Sequence, residues 1–283
     1  MTTLFVKDLT VIDFSYFNNQ RGLLGESWIM DIELSGELNA IGFIFDFGKV
    51  KKTIKTLVDS QVDHKCVVPS KSKQISIQEE GDSYTIKYVY PDKKIIELHS
   101  PKSAFCFFDF DEVTLANMEN YLETLILKAL PSNISNIKVH LREEVLDSDY
   151  YHYSHGLKKH DGNCQRIAHG HRSKIEIAHN GERVKSLEAA WAKKFEDCYI
   201  GTEEDLNSVI ILNKIDYNVF EYSTNQGFFK LTIPIIKCIL ISEESSVENI
   251  AHYIAKTTVA LTDLRPIEVR AFEGVGKGAV ASI

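Results

Sequence analysis

Residues Ile137–Glu143 read IKVHLRE, and residues Ile267–Glu273 read IEVRAFE. Both stretches fit the pattern I-x-V-x-x-x-E, whose alternation of apolar and polar residues is typical of a half-buried β-strand. Each follows a segment, at 113–130 and at 246–261, in which apolar residues recur at three- and four-residue spacings. That period indicates an amphipathic helix. One helix–strand unit therefore occurs twice, and the sequence predicts a duplicated domain.

A second pair of similar stretches occurs in the same order. Ile32–Glu37 reads IELSGE and Ile175–Glu182 reads IEIAHNGE, and both are alternating strand patterns that end in a turn signal. We therefore predict two tandem units, at 1–145 and 146–283, which place the chain in the α+β class. Each unit is expected to be an antiparallel sheet backed by helices, one of them at 47–59.

The composition argues against several classes of function. The 283 residues carry 32 Lys and Arg against 40 Asp and Glu, a net charge of −8, so the chain lacks the positive charge that non-specific nucleic-acid binding needs. No run approaches the roughly 18 apolar residues of a membrane span, and the first residues do not resemble a secretory signal. The five cysteines are scattered and never form a CxxC pair, which favours reduced thiols in the cytoplasm.

Histidines are concentrated in the second half, where six of the ten lie between positions 152 and 179. His169 and His171 are two apart at the start of a predicted strand, so both imidazoles project from one face, and a hairpin would bring His155 alongside. Three imidazoles from adjacent strands make a zinc site of the open, catalytic type, with the fourth position left for water or substrate. The same residues also fit a solvated loop of histidines that binds no metal.

Cys164 lies in the loop between these histidines, within the polar sequence DGNCQR. A thiol beside Zn2+ and imidazoles can act as a base or a nucleophile. Alternatively, the thiol completes a structural Cys–His site with four ligands. Cys106 and Cys238 lie in apolar, strand-like runs, which is the usual setting of a packing residue.

The motifs of the second half resemble those of the 6-pyruvoyl and 6-carboxytetrahydropterin synthase family. The resemblance rests, in chain order, on YHYSH at 151–155, GNC at 162–164, HGH at 169–171, GE at 181–182, SVENIA at 246–251 and VRAFE at 269–273. It implies the tunnelling fold of that family, in which each unit has a sheet backed by two helices. It also implies that the units close into a barrel-like oligomer.

The first half resembles the same family and has lost other parts of its motifs. Its matches are FDF at 45–47, VK at 50–51, VDH at 62–64 and LRE at 141–143. The alignment places Ser15 where the family has its first zinc histidine, and LGE at 24–26 stands in place of H-G-H. The second half has no recognisable Asp-His pair, and its residues 190–206 have no assigned counterpart. Each half thus lacks what the other keeps, and the simplest hypothesis is one active site shared between them.

The resemblance implies roles for the candidate catalytic residues. Zinc would bind the hydroxylated side chain of 7,8-dihydroneopterin triphosphate as a Lewis acid, and its implied ligands are His155, His169 and His171. Cys164 would remove a proton from that side chain, and Asp63 with His64 would form an acid–base relay.

The resemblance also implies how the substrate is held. Glu273 would anchor the pterin ring through its adjacent N–H donors, and Glu143, the repeat partner of Glu273, is the alternative anchor. The candidates for binding the triphosphate are basic residues of the loop between His155 and His169 and of the strand that follows it, namely Lys158, Lys159, Arg166 and Arg172.

The implied function is that of a zinc-dependent lyase that makes 6-carboxytetrahydropterin on the route to queuosine-type deazapurines. Synthesis of 6-pyruvoyltetrahydropterin is the near alternative, and a non-enzymatic tandem homologue that binds pterin or zinc is another. The expected partner is a small-molecule substrate, with no nucleic acid and no membrane. A cytoplasmic homo-oligomer is expected, because closing a ring of units pairs their exposed strand edges.

Overall fold

The computed structural model describes residues 2–283, which form two units of similar element order. The first unit contains β1 (Thr2–Asn18), β2 (Gly22–Gly36), α1 (Phe47–Gln61), β3 (Cys66–Pro69), β4 (Ile75–Glu80), β5 (Ser83–Val89), β6 (Ile95–Pro101), β7 (Phe105–Phe108), α2 (Leu115–Leu127) and β8 (Ile134–Glu143). The second contains β9 (Tyr150–His155), β10 (His169–His179), β11 (Glu182–Arg183), α3 (Lys185–Lys194), β12 (Cys198–Thr202), β13 (Leu206–Leu212), β14 (Ile215–Thr224), β15 (Gly227–Pro234), β16 (Cys238–Ile241), α4 (Val247–Thr262), β17 (Ile267–Phe272) and β18 (Gly278–Ser282). The prediction of an α+β chain with two helices in each unit is confirmed.

The strands form three sheets, one of which is shared. The first sheet has the order β7-β3-β1-β2-β8, and the second has the order β16-β12-β9-β10-β17-β18, with β11 beside β10. The third has the order β13-β14-β15-β6-β5-β4, so three of its strands come from each unit. At its centre β6 pairs antiparallel with β15, with Leu98 opposite Leu231. Backbone hydrogen bonds therefore join the two units directly.

The prediction of purely antiparallel sheets is wrong. In the first unit β1 pairs parallel with β3, and in the second β9 pairs parallel with β12. Parallel neighbours need a crossover connection, most often a helix. Here α1 and α3 lie immediately before β3 and β12, and they return the chain to the end at which the parallel strand must begin.

Helices α1, α2 and α4 lie where the amphipathic pattern predicts them. Each begins after a side chain that accepts a hydrogen bond from the backbone N–H three residues later, and these N-caps are Asp46, Thr114 and Ser246. Their apolar faces pack on the sheets, with Val50, Ile54 and Val58 buried in α1. Within residues 2–283, no helix has the length and apolar character needed to cross a membrane.

The segment 190–206, which had no assigned counterpart, contains the end of α3 and the whole of β12. Helix α3 begins without a side-chain cap, so its sequence carries no start signal. Contacts with other elements stabilise it instead. The indole N–H of Trp191 donates to Thr258 Oγ1 of α4 at 2.9 Å, and both residues are buried.

Strands β2 and β10 approach each other closely, and equivalent residues of the two units meet there. Gly25 and Gly170 lie so close that a Cβ atom on Gly170 would be 2.6 Å from the Cα of Gly25. Beside them the hydroxyls of Ser15 and Ser154 are 2.8 Å apart. These reciprocal contacts relate the units by an approximate twofold axis, which brings loops of the first unit to the motifs of the second.

The strand register corrects the alignment of the first half. Tyr16 lies opposite Leu24 in the pair β1–β2, as His155 lies opposite His169 in the pair β9–β10. Leu24 and His169 each precede the glycine of their motif. Tyr16, rather than Ser15, therefore stands at the position of the first histidine.

Candidate metal centre and shared active site

The three candidate metal ligands converge in the second unit. His155 is the last residue of β9, and His169 and His171 begin β10, with His155 directly opposite His169. Because alternate residues of a strand face the same side, all three imidazoles lie on one face of the sheet, and all three residues have 0% exposure. One ligand atom from each lies within 4.8 Å of the other two.

The hydrogen bonds of two of these histidines leave one nitrogen free to bind a metal. The Nδ1–H of His155 donates to the carbonyl of Ser245 at 2.9 Å, and the Nδ1–H of His169 donates to the carbonyl of Arg166 at 3.0 Å. Each Nε2 atom is therefore a buried acceptor, and neither has a hydrogen-bond partner among the described residues. Buried polar atoms are almost always satisfied, so converging orphan nitrogens fit a bound cation, and a backbone carbonyl on the second nitrogen is the usual support of a metal-binding histidine.

The protonation of these histidines also suits a metal. Burial lowers the pKa of His155 and of His169 well below the usual range, and neighbouring imidazoles lower both further. Both rings are therefore neutral at pH 7, which is the form that binds a divalent ion. Among the donor sets of biological metals, a cluster of imidazoles suits zinc.

His171 lies between two carboxylates. Its Nδ1 is 3.2 Å from Asp13 Oδ1, and its Nε2 is 3.6 Å from Glu273 Oε1. Burial raises the pKa of Asp13, but His171, Lys277 and Ser27 outweigh burial and hold that pKa well below its usual range. Asp13 was missed in the sequence because it belongs to the other unit and to none of the recognised motifs.

The Asp-His pair of the first unit lies beside the same histidines. His64 Nδ1 is 2.5 Å from Asp63 Oδ2. His64 also lies close to Cys164 and His169, because one ligand atom from each of the three lies within 4.8 Å of the other two. The ring centroids of His64 and His169 are 5.3 Å apart. Burial lowers the pKa of His64, but hydrogen bonds to Asp63 and Cys164 outweigh it and raise the pKa to about 10. The structure thus brings the residues of both halves together in one chain.

The remaining cysteines lie apart from this chemistry. Cys66 and Cys198 are fully buried in β3 and β12, and burial raises the pKa of both thiols. Cys106 and Cys238 are in β7 and β16, where burial again raises the pKa. All four are therefore neutral packing residues, as their apolar surroundings in the sequence predicted for Cys106 and Cys238.

The two candidate anchors for the pterin ring have different surroundings. Glu273 is beside His171, whereas Glu143 is about half exposed and its Oε2 is 3.5 Å from Arg172 Nη2. The guanidinium of Arg172 also stacks on the ring of Tyr150, 3.9 Å from its centroid. Glu143 is therefore already paired with Arg172, and the geometry favours Glu273 as the anchor of the pterin ring.

The four candidate cations for the triphosphate are not equally available. Lys158 and Lys159 pair with acidic side chains at one edge of the second sheet, namely Glu204, Asp205 and Glu244. Arg172 pairs with Glu143. Arg166 is buried, and its Nη1 donates to the carbonyl of His64 at 3.2 Å. Arg166 is thus the member of the set nearest the candidate catalytic residues.

The equivalent position in the first unit is not a metal site. The counterparts of the three histidines are Tyr16, Leu24 and Glu26 by strand register, and a leucine offers no ligand. Burial raises the pKa of Glu26 to about 8. A bidentate ion pair between Arg21 and Asp197 lies close to this position, with hydrogen bonds of 2.5 and 3.0 Å. An ion pair between side chains of the protein thus lies where the first unit would otherwise have its counterpart of the metal site.

One family model matches this chain twice, once over each unit. The family described as 6-pyruvoyl tetrahydropterin synthase matches residues 12–145 and again residues 144–282. A Pyrococcus abyssi protein named "Putative 6-carboxy-5,6,7,8-tetrahydropterin synthase" is 30% identical over 133 residues, covering 47% of this chain and 76% of that protein. A Pyrococcus horikoshii protein of the same name is 28% identical, with the same coverage. The 6-pyruvoyltetrahydropterin synthase structure from Plasmodium vivax aligns with 52% of this chain and 93% of its own, at 18% identity and a TM-score of 0.42. The chain belongs to the 6-pyruvoyl tetrahydropterin synthase family, whose domain it carries twice in tandem.

Proposed function

We propose that this protein is a zinc-dependent lyase that converts 7,8-dihydroneopterin triphosphate to 6-carboxytetrahydropterin, a precursor of queuosine-type deazapurines. The observation that carries the proposal is the meeting of His64 from the first unit with Cys164 from the second, beside three buried histidines. Neither unit alone contains this set. The names of the archaeal relatives favour the carboxy product over the pyruvoyl product.

The donors for zinc would be one imidazole nitrogen each of His155, His169 and His171, which are the buried nitrogens without partners. Bound there, zinc would supply Lewis acidity to the hydroxyl groups of the substrate side chain.

The Asp63–His64 pair would control the proton at Cys164. With its Nδ1 held by Asp63, His64 directs Nε2 to the thiol, and its pKa of about 10 keeps the ring cationic at neutral pH. A cationic imidazole beside a thiol stabilises the thiolate. Cys164 Sγ would then take the proton from the substrate side chain, and His64 would return a proton as general acid.

Glu273 would orient the substrate. Its carboxylate lies 3.6 Å from His171 and remains partly exposed. A carboxylate can accept two parallel hydrogen bonds from the adjacent N–H groups of a 2-amino-4-oxo pteridine ring. That pairing would place the ring's side chain toward the histidines and the thiol.

The function is tested by incubating the zinc-loaded protein with 7,8-dihydroneopterin triphosphate and identifying the product by mass spectrometry. We expect 6-carboxytetrahydropterin. Formation of 6-pyruvoyltetrahydropterin would contradict the assigned product and retain the assigned site. No turnover, with zinc content confirmed, would contradict both and favour a homologue that only binds pterin or zinc.

We further propose that the chain is a cytoplasmic homo-oligomer in which units of several chains close into a barrel. Within residues 2–283, strand β8 pairs on one side only, and so does β18, so each presents an open edge. Open edges are pairing surfaces for other chains. Size-exclusion chromatography with light scattering is expected to give a mass of two or more chains, and a monomer would contradict the assembly.

A further inference from the structure

Asp13 is the residue of the first unit that contacts both parts of the shared site. Its carboxylate faces the metal-ligand candidate His171, while its backbone groups bond to Asp63 and His64. We propose that Asp13 is a positioning residue, which fixes the orientation of His171 for the metal and ties it to the Asp63–His64 pair. This inference rests on the proposed metal site.

The side chain of Asp13 is held in place by two neighbouring side chains. It is 3% exposed, Ser27 Oγ donates to its Oδ1 at 2.5 Å, and Lys277 Nζ is 3.0 Å from its Oδ2. Oδ1 is then 3.2 Å from Nδ1 of His171. A carboxylate on one nitrogen of an imidazole keeps the proton there and directs the other nitrogen to the metal. Asp13 is thus placed to keep a proton on Nδ1 and to leave Nε2, which has no hydrogen-bond partner among the described residues, as the ligand atom.

The main chain of Asp13 holds the catalytic pair. Its N–H donates to Asp63 Oδ1 at 2.9 Å, and its carbonyl accepts from the N–H of His64 at 2.7 Å. The second bond holds His64 in a left-handed conformation with φ of 53°, which is uncommon for a residue with a side chain. The position of His64 relative to His171 therefore depends on one residue of β1.

The pseudo-equivalent position lacks the pairing of a carboxylate with a ligand histidine. By strand register Asp13 corresponds to His152, and His171 corresponds to Glu26. His152 donates its Nδ1–H to the carbonyl of Gly25 at 2.8 Å, and its Nδ1 is 3.7 Å from Glu26. The acid and the base have exchanged strand positions there, while the acid stays in the first unit and the base in the second, so Asp13 faces the one of the two positions that has the metal-ligand candidates.

The test measures zinc affinity by competition with a chromophoric chelator and records the visible absorption spectrum of the Co2+-substituted protein. Asp13→Asn is expected to bind zinc about 10- to 100-fold more weakly than the wild type and to shift the Co2+ bands. Asp31→Asn is the matched control, because Asp31 is a buried carboxylate of the same sheet that pairs with Lys7. It is expected to match the wild type in both measurements.

A second variant covers the case in which Asp13→Asn does not fold. Ser27→Ala removes one hydrogen bond from the carboxylate and is expected to weaken zinc binding by about 3- to 10-fold. If Asp13→Asn folds, a wild-type zinc affinity and an unchanged Co2+ spectrum would overturn the inference about Asp13. If Asp13→Asn does not fold, the same result in Ser27→Ala would overturn it. Either outcome leaves the proposed function standing. Failure of the wild-type protein itself to bind zinc would overturn the proposed function as well.

Discussion

Gly25 and Gly170 lie backbone to backbone where β2 and β10 meet, and each occupies space that no side chain could share with the other. A Cβ atom on Gly25 would lie 1.9 Å from the carbonyl oxygen of Tyr153 and 2.3 Å from the backbone nitrogen of His171. Both are backbone atoms of paired strands, so they cannot move aside to make room for a Cβ atom. The close approach is what allows Asp13 of one unit to reach His171 of the other.

Gly25→Ala is therefore expected to destabilise the contact between the units. Overpacking of this kind costs about 1–3 kcal/mol, which denaturant unfolding would measure, and the bound zinc per chain is expected to fall. Gly48→Ala is the control, because a Cβ there would meet no backbone atom and only the side chain of Asp46, at 3.3 Å. A Gly25→Ala protein with wild-type stability and zinc content would contradict this account of the contact.

The sharing of one site between the halves of a single chain predicts the result of mixing variants. Cys164→Ala and Asp63→Asn are each expected to lower kcat by about 100-fold or more, while zinc content stays at the wild-type level. Co-expressing the two variants with different affinity tags and purifying mixed oligomers should restore no activity, because each site needs both residues from the same chain. Recovery of activity in the mixed oligomer would place the site between chains instead.

The loss of ligands in the first unit predicts the metal stoichiometry. We expect one zinc per chain by elemental analysis, and none in His169→Ala. Tyr16→Phe, which changes the counterpart of His155, is expected to keep the full zinc content. Chelation should abolish turnover and leave the far-ultraviolet circular dichroism largely unchanged. Unfolding on chelation would instead indicate a structural Cys–His site.

The buried carboxyl of Glu26 predicts a pH dependence of stability. Burial raises the pKa of Glu26 from 4.5 to about 8, so between these values the unfolded chain has released a proton that the folded chain still holds. The stabilising contribution is complete below pH 4.5 and is lost as the pH rises through 8. Glu26→Gln should remove this decline, which is on the order of 5 kcal/mol for a pKa that rises from 4.5 to about 8.

Denaturant unfolding between pH 5 and pH 9 would measure the effect. Glu33→Gln, which changes an exposed residue of the same strand, is the control and should keep the decline of the wild type. An identical pH dependence in wild type and Glu26→Gln would show that Glu26 ionises in the folded protein as it does in the unfolded chain.

Local properties of the sequence were sufficient for much of the fold. The duplication follows from repeated strand patterns, and helices α1, α2 and α4 follow from a period of three to four residues with a cap at the start. The grouping of His169 and His171 follows from their spacing on one strand. Helix α3 could not be predicted, because it has no cap and depends on contacts such as that of Trp191 with Thr258.

The sequence by itself determined that this protein is a tandem of two related α+β units, and it predicted candidate catalytic and metal-binding side chains. Only the tertiary structure decided how the units share a sheet, that Asp13 lies against His171, and that Arg172 pairs with Glu143. The physical reason is that periodicity reports which face of an element is buried, and not which residue of a distant element lies against it. A one-residue change of register moves a side chain to the other face of a sheet. The strand pairing was therefore needed to show that Tyr16, and not Ser15, is the counterpart of His155.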